Sequence, residues 1–84
     1  MQIPDNVLRQ EVDGELVLLD VESGLYFSLN EVGVSIWAAI EAGHHRADIV
    51  RLILEEYDVD EEQAGVDVDG LLAELRSRGL IRGT

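Results

Sequence analysis

The sequence ELVLLDVESGLYFSLNEVGVSIW, residues 15–37, decides the fold because it places two strands, a turn and a helix start in direct succession. Residues 16–21 and 25–29 are rich in β-favouring and apolar side chains, and Ser23-Gly24 between them supplies turn chemistry. Asn30 is a preferred N-cap, so a helix is expected to begin directly after the second of these strands. The rest of the chain is expected to pack on this hairpin.

A further hairpin precedes this stretch. Asp13-Gly14 between residues 7–12 and 15–20 favours a type I′ turn, which sets Val12 opposite Glu15 and Leu8 opposite Leu19. A three-residue loop at 22–24, with Gly24 in the left-handed conformation, would set Leu19 opposite Phe27 and Val17 opposite Leu29. One apolar face is then expected to contain Leu8, Val17, Leu19, Val21, Leu25, Phe27 and Leu29.

Three helices are predicted after the strands. The first starts at Asn30, carries an apolar stripe with Trp37 beside it as a core residue, and stops at Gly43. The second starts near His45, with Asp48 as its capping partner, and runs to about residue 57. The third has Asp60 as its N-cap and ends at Gly79. Its buried stripe is expected to contain Ala64, Val68, Leu71, Leu72 and Leu75.

The predicted fold class is therefore α+β and winged-helix-like, a three-stranded antiparallel meander followed by three helices. Eighty-four residues make a single domain, residues 1–84. Pro4 cannot donate to a strand ladder, so residues 1–6 are expected to form a loose lead-in and the ordered fold to begin at Val7.

Charge and composition exclude several classes of function. The chain has 18 acidic residues and six arginines, for a net charge of −12, which repels nucleic acid and anionic membranes. It has no cysteine and no apolar run of the roughly 20 residues that a membrane span needs, so a cytoplasmic location is expected. The adjacent His44 and His45 have only Asp48 and Glu41 nearby, which does not indicate a metal site. No catalytic constellation or cofactor motif is present, so the prediction is a protein that is not an enzyme.

The third predicted strand, residues 25–29, is an edge by connectivity. It contains no charge and no proline, the usual devices that protect an exposed edge. Either a helix or the N-terminal arm of the same chain covers it, or a peptide adds to it as a further strand.

Three motifs carry a resemblance to a known family: LLDVESGLYFSLNEVGVSIW at 18–37, EEYDVD at 55–60, and DV, LL, L and GLI spaced over 67–81. Over residues 7–81 the chain resembles the coenzyme PQQ synthesis protein D family. These are leader-recognition domains for ribosomally made, modified peptides, including the stand-alone proteins of lasso-peptide clusters. The Tyr26-Phe27 pair and Trp37 favour the lasso type.

The resemblance implies a binding module without cofactor. It implies that a precursor leader peptide adds antiparallel to the third strand, in the groove with the third helix, and that the module delivers it to a leader protease or another modifying enzyme. The matching positions are Leu25, Tyr26, Phe27, Ser28 and Leu29 on the strand and Asp67, Leu71 and Glu74 on the helix.

Other functions stay open at this point. The domain could present a precursor to a radical SAM enzyme, or it could be an assembly subunit that uses the same edge without binding a leader. A winged-helix DNA binder is disfavoured because residues 60–74 contain no lysine or arginine.

Overall fold

The computed structural model describes residues 1–83 and has three strands followed by three helices, which confirms the predicted α+β class. The elements are β1 (Val7–Val12), β2 (Glu15–Asp20), β3 (Leu25–Leu29), α1 (Glu31–Glu41), α2 (Arg46–Glu56) and α3 (Glu61–Ser77). The term winged helix fits this arrangement only loosely. Within residues 1–83, no helix is long and apolar enough to cross a bilayer.

The strands form one antiparallel sheet in the order β1-β2-β3. Asp13 and Gly14 both have positive φ, 54° and 81°, as a type I′ turn requires. The resulting register pairs Val12 with Glu15 and Leu8 with Leu19, so this part of the prediction is confirmed.

The predicted register between β2 and β3 is wrong by one residue. Leu19 opposes Tyr26 and Val17 opposes Ser28, because the loop contains four residues, 21–24, rather than three. Gly24 does adopt the left-handed conformation, with φ 75°, and its N–H donates to the Asp20 carbonyl at 2.7 Å.

The register shift changes which side chains face the core. Leu16, Leu18 and Leu29 are buried in the core cluster, with Phe27 packed against it, and we call this side of the sheet the inner face. Leu8, Val17 and Leu19 lie on the opposite side, the outer face, by strand alternation. Their predicted place on the helix-covered face is therefore wrong, although Val17 is buried on the outer face, and the predicted core positions Val21 and Leu25 are exposed.

Each helix begins where its predicted capping residue stands. Asn30 Oδ1 accepts the Gly33 N–H at 2.7 Å, and Asp60 Oδ1 accepts the Gln63 N–H at 2.8 Å. At α2 the His45 N–H donates to Asp48 Oδ2 at a longer 3.4 Å. Gly43 and Gly79, predicted as helix stops, both have positive φ.

The helices cover the inner face and complete one core. Trp37 is only 1% exposed, which confirms its predicted core position. On α3, Ala64, Val68, Leu72 and Leu75 are buried, whereas Leu71 is half-buried at the edge of the cluster.

Residues 1–6 are held by contacts rather than forming the loose lead-in that was expected. Gln2 and Arg82 exchange two backbone hydrogen bonds, at 2.8 and 2.9 Å, and Pro4 is buried. Asn6 Nδ2 donates to Asp20 Oδ1 at 2.8 Å, and the Asn6 carbonyl accepts the Val21 N–H. Residues 1–6 are therefore bound both to the segment that follows α3 and to the end of β2.

Candidate functional site

The outward edge of β3 presents unpaired backbone groups from two residues. In a two-residue type I′ hairpin the closing pair, Val12 and Glu15, is hydrogen-bonded, and the direction of the backbone groups alternates along each strand. The β2 residues paired with Leu25, Phe27 and Leu29 therefore direct their backbone groups toward β3. It follows that Tyr26 and Ser28 point their N–H and C=O groups away from the sheet.

No other strand within residues 1–83 pairs with this edge. The N-terminal arm pairs with Arg82 instead of β3. Among the described residues, the arm is therefore not the cover of the β3 edge. Leu25 and Tyr26 are 67% and 58% exposed. The β3 edge is thus accessible to a partner strand.

A cavity of about 510 Å³ lies beyond the end of β3, between the start of α1 and α3. Its walls are partly apolar, and its volume falls within the range of small-molecule pockets. The wall at the start of α1 consists of the capping residue Asn30 with Val32, Gly33 and Ile36, and the α3 wall consists of Val66, Asp67, Gly70, Leu71 and Glu74.

A second, smaller cavity of about 90 Å³ lies at the other end of β3. Leu25, Tyr26 and Phe27 line it from the strand, and Arg78 lines it from beyond the end of α3. The Arg78 guanidinium stacks over the Phe27 ring at 4.9 Å and pairs with Glu74 at 2.8 Å. We call the two cavities together the groove, since Glu74 of the larger cavity pairs with Arg78 of the smaller one; β3 and the start of α1 line one side of it, and α3 and Arg78 line the other.

The structure distributes the predicted site residues along this groove. Asp67, Leu71 and Glu74 line the larger cavity, and Leu25, Tyr26 and Phe27 line the smaller one. Ser28 lies on the exposed edge between them, whereas Leu29 is buried in the core.

Sequence reasoning missed several walls of the groove. From the sequence, Asn30 is predicted only as the cap of α1 and Val32 and Ile36 only as its core stripe, and nothing is predicted for Val66. Val66 is 61% exposed, and a large apolar side chain off the buried stripe of a helix was the available signal.

The acidic side chains of the groove already have partners within the protein. Asp67 Oδ1 accepts a hydrogen bond from Gln63 Nε2 at 2.8 Å, and Glu74 is paired with Arg78. At the smaller cavity, the hydrogen bond from Asn6 lowers the pKa of Asp20, with a further contribution from the Glu22 N–H. Within residues 1–83, no group of three or more His, Asp or Glu side chains is arranged to hold a metal ion.

Comparisons with known proteins show the family to which this chain belongs. The family model of coenzyme PQQ synthesis protein D matches residues 15–81, while a search of curated proteins finds no match. A solved structure described as TbiB1 in complex with the TbiA(beta) leader peptide is 37% identical, with a TM-score of 0.90 over 100% of this chain and 98% of that one.

A second solved structure, lasso peptide synthetase B1 complexed with the leader peptide, is 28% identical. Its TM-score is 0.89 over 98% of this chain and 96% of that one. Since the family model spans most of the sequence and these structures match it almost end to end, the chain belongs to the coenzyme PQQ synthesis protein D (PqqD) family.

Proposed function

We propose that this protein is a non-catalytic recognition module that binds the leader segment of a ribosomally made precursor peptide. The observation that carries the proposal is the unpaired edge of β3 beside a partly apolar groove. Two solved structures of similar fold, both complexes with leader peptides, support it.

The leader would bind by strand addition, antiparallel to β3. Its backbone would pair with the outward N–H and C=O groups of Tyr26 and Ser28. Its side chains opposite Leu25, Phe27 and Leu29 would then point toward the groove, because directly opposed residues share a face. Alternate leader residues would point to the outer face.

The groove would select the side chains that enter it. Leu71, half-buried between Asp67 and Glu74, would form an apolar wall of the larger cavity. Because Glu74 is neutralised by Arg78 and Asp67 is hydrogen-bonded, apolar contacts are expected to supply more affinity than charge does. The carboxylates would mainly steer a basic leader segment toward the groove.

The proposal includes a partner enzyme. Having bound the leader, the module would deliver the precursor to a leader protease or another modifying enzyme, with no cofactor of its own. Such a transfer would take place in the cytoplasm, where ribosomal precursors are synthesised. The two leader complexes favour the lasso-peptide class over the alternatives considered from the sequence.

The decisive experiment replaces Ser28 by proline. Because the Ser28 N–H points away from β2, proline removes one hydrogen bond to the added strand without breaking the sheet. Isothermal titration with the synthetic leader of the adjacent precursor gene should show micromolar or tighter binding by the parent. The Ser28→Pro variant should bind about tenfold or more weakly, the effect of losing about 1.4 kcal/mol.

Ser28→Thr is the matched control, since it keeps the N–H and favours a strand. Thermal melts should place both variants near the parent. A folded Ser28→Pro variant that binds the leader as tightly as the parent would exclude strand addition, and a parent that does not distinguish leader from core peptide would exclude leader recognition altogether.

A further inference from the structure

We infer that the outer face of the sheet is the surface on which the leader-processing enzyme docks, and that this enzyme presents an apolar patch with basic side chains around it. The inference rests on the proposed function, because it assigns a second surface to the same delivery step. The outer-face patch consists of Leu8, Val12, Val17, Leu19 and Tyr26.

The outer face is far more apolar than the solvent side of a small sheet usually is. A sheet covered on one side by helices normally alternates between apolar inner and polar outer residues. In β1 only Val7 and Gln10 follow this rule, because Leu8 and Val12 point outward while Arg9 and Glu11 lie on the inner side. Leu8 is 45% exposed and Val12 46%, because no described helix covers them.

The patch is continuous across all three strands. Leu8, Leu19 and Tyr26 stand in one cross-strand row, and Val17 stands in the next row between Gln10 and Ser28. Val17 is only 6% exposed although it lies outside the core cluster, so its neighbours on the outer face must shield it. An open depression of about 490 Å³ lies beside it, lined by Val12, Asp13, Glu15, Val17, Tyr26 and Ser28.

Charge decides which kind of partner fits this patch. Asp13 and Glu15 border it, and none of the six arginines stands on the outer-face rows of the strands. A second copy would bring two acidic borders together on molecules of net charge −12, which is unfavourable. A different protein with basic side chains around an apolar centre would complement both the centre and the border.

The patch also adjoins the leader edge. Tyr26 and Ser28 point their side chains to the outer face and their backbone groups to the added strand. A bound leader would therefore extend the outer face by one strand and place its alternate side chains beside Tyr26. An enzyme on this face would contact the module and the leader together, which would restrict delivery to loaded modules.

The test uses the double variant Leu8→Thr/Val12→Thr, which changes β1 only, the strand farthest from the leader edge. The probes are the synthetic leader and the purified leader protease of the same biosynthetic cluster, titrated with and without saturating leader. Protease affinity should fall about tenfold or more, while leader affinity stays within about twofold of the parent. Glu15→Lys should weaken protease binding at about 0.05 M salt and less so at about 0.5 M.

Val66→Ala is the crossed control, because it removes an exposed apolar side chain of similar size from the groove instead. It should weaken leader binding, and at saturating leader it should leave protease binding unchanged. The inference is overturned if the folded double variant binds the protease like the parent, or if sedimentation shows that the parent pairs with itself through this patch. If the parent does not bind the leader, that result would count against the proposed function alone.

Discussion

At the scale of one residue, Gly70 lowers the stability of α3 and leaves open space in the groove. Glycine inside a helix costs about 1 kcal/mol relative to alanine, yet α3 contains two, at 65 and 70. A Cβ at Gly65 would lie 3.4 Å from Arg46 Nη2, whereas a Cβ at Gly70 would meet nothing within 4 Å. Since Gly70 lines the larger cavity, the space it leaves is available to a leader side chain.

Gly70→Ala should therefore move stability and binding in opposite directions. Helix propensity should raise the free energy of unfolding by up to about 1 kcal/mol, and the melting temperature by about 4–8 °C. Leader affinity should fall, and Gly70→Leu should lower it by about tenfold or more because the larger side chain fills the cavity. Thermal melts and titration with the leader measure the two effects separately.

Gly65→Ala is the matched control on the same helix and should keep the parent's leader affinity. If Gly70→Ala and Gly70→Leu bind the leader as the parent does, no leader side chain occupies the gap beside Gly70.

At the scale of elements, local signals specified one hairpin and left the other ambiguous. The Asp13-Gly14 turn fixed the β1–β2 register because few other turns suit that dipeptide. Residues 16–19 of β2 are all apolar, so alternation could not show which pair faces the core. The β2–β3 register then depended on the length of the loop between the strands, and a glycine at position 24 is compatible with a loop of either three or four residues.

Side-chain contacts favour the four-residue loop. Asp20 Oδ1 accepts the Glu22 N–H at 3.0 Å, and Ser23 Oγ accepts the Leu25 N–H at 3.3 Å. Asn6 completes the arrangement from the lead-in, a residue too distant in sequence for local patterns to connect with this turn. The groove too could be predicted only in part. Its β3 and α3 sides follow from local sequence, whereas the wall at the start of α1 depends on tertiary packing.

The contact between Asn6 and Asp20 predicts a pH dependence for the lead-in. The Asn6 hydrogen bond is the main cause of the lowered pKa of Asp20, so the folded state favours the carboxylate. The resulting stabilisation is present above the ordinary value of 3.8 and is lost as the pH falls through the lower folded-state value. Asn6→Ala should thus destabilise the protein at about pH 7 and have a much smaller effect at about pH 2.5.

Denaturant melts of four proteins isolate this contact: the parent, Asn6→Ala, Asp20→Asn and the double variant. In the Asp20→Asn background, the Asn6→Ala effect should be small and independent of pH. A gap between parent and Asn6→Ala that stays constant from neutral to acid pH would contradict the prediction.

At the scale of the whole molecule, the net charge of −12 protects a strand that has no protection of its own. Between Leu25 and Leu29 there is no lysine, proline or bulge to prevent edge-to-edge pairing, and the other copies in solution are potential partners. Long-range repulsion between like-charged molecules performs that task instead. This protection is conditional, because it disappears as the pH approaches the isoelectric point of about 4.2.

The unpaired edge of β3 is therefore a site of possible aggregation as well as a binding site, and a bound leader peptide should protect it from aggregation. Light scattering should rise steeply near pH 4.2, and either a leader that still binds there or the Ser28→Pro substitution should reduce it. Scattering that is insensitive to both would assign the loss of solubility to charge neutralisation alone. For storage and crystallisation, a module kept with its leader should tolerate acid and high salt better than the bare domain, since its fourth strand occupies the place where fibrils would start.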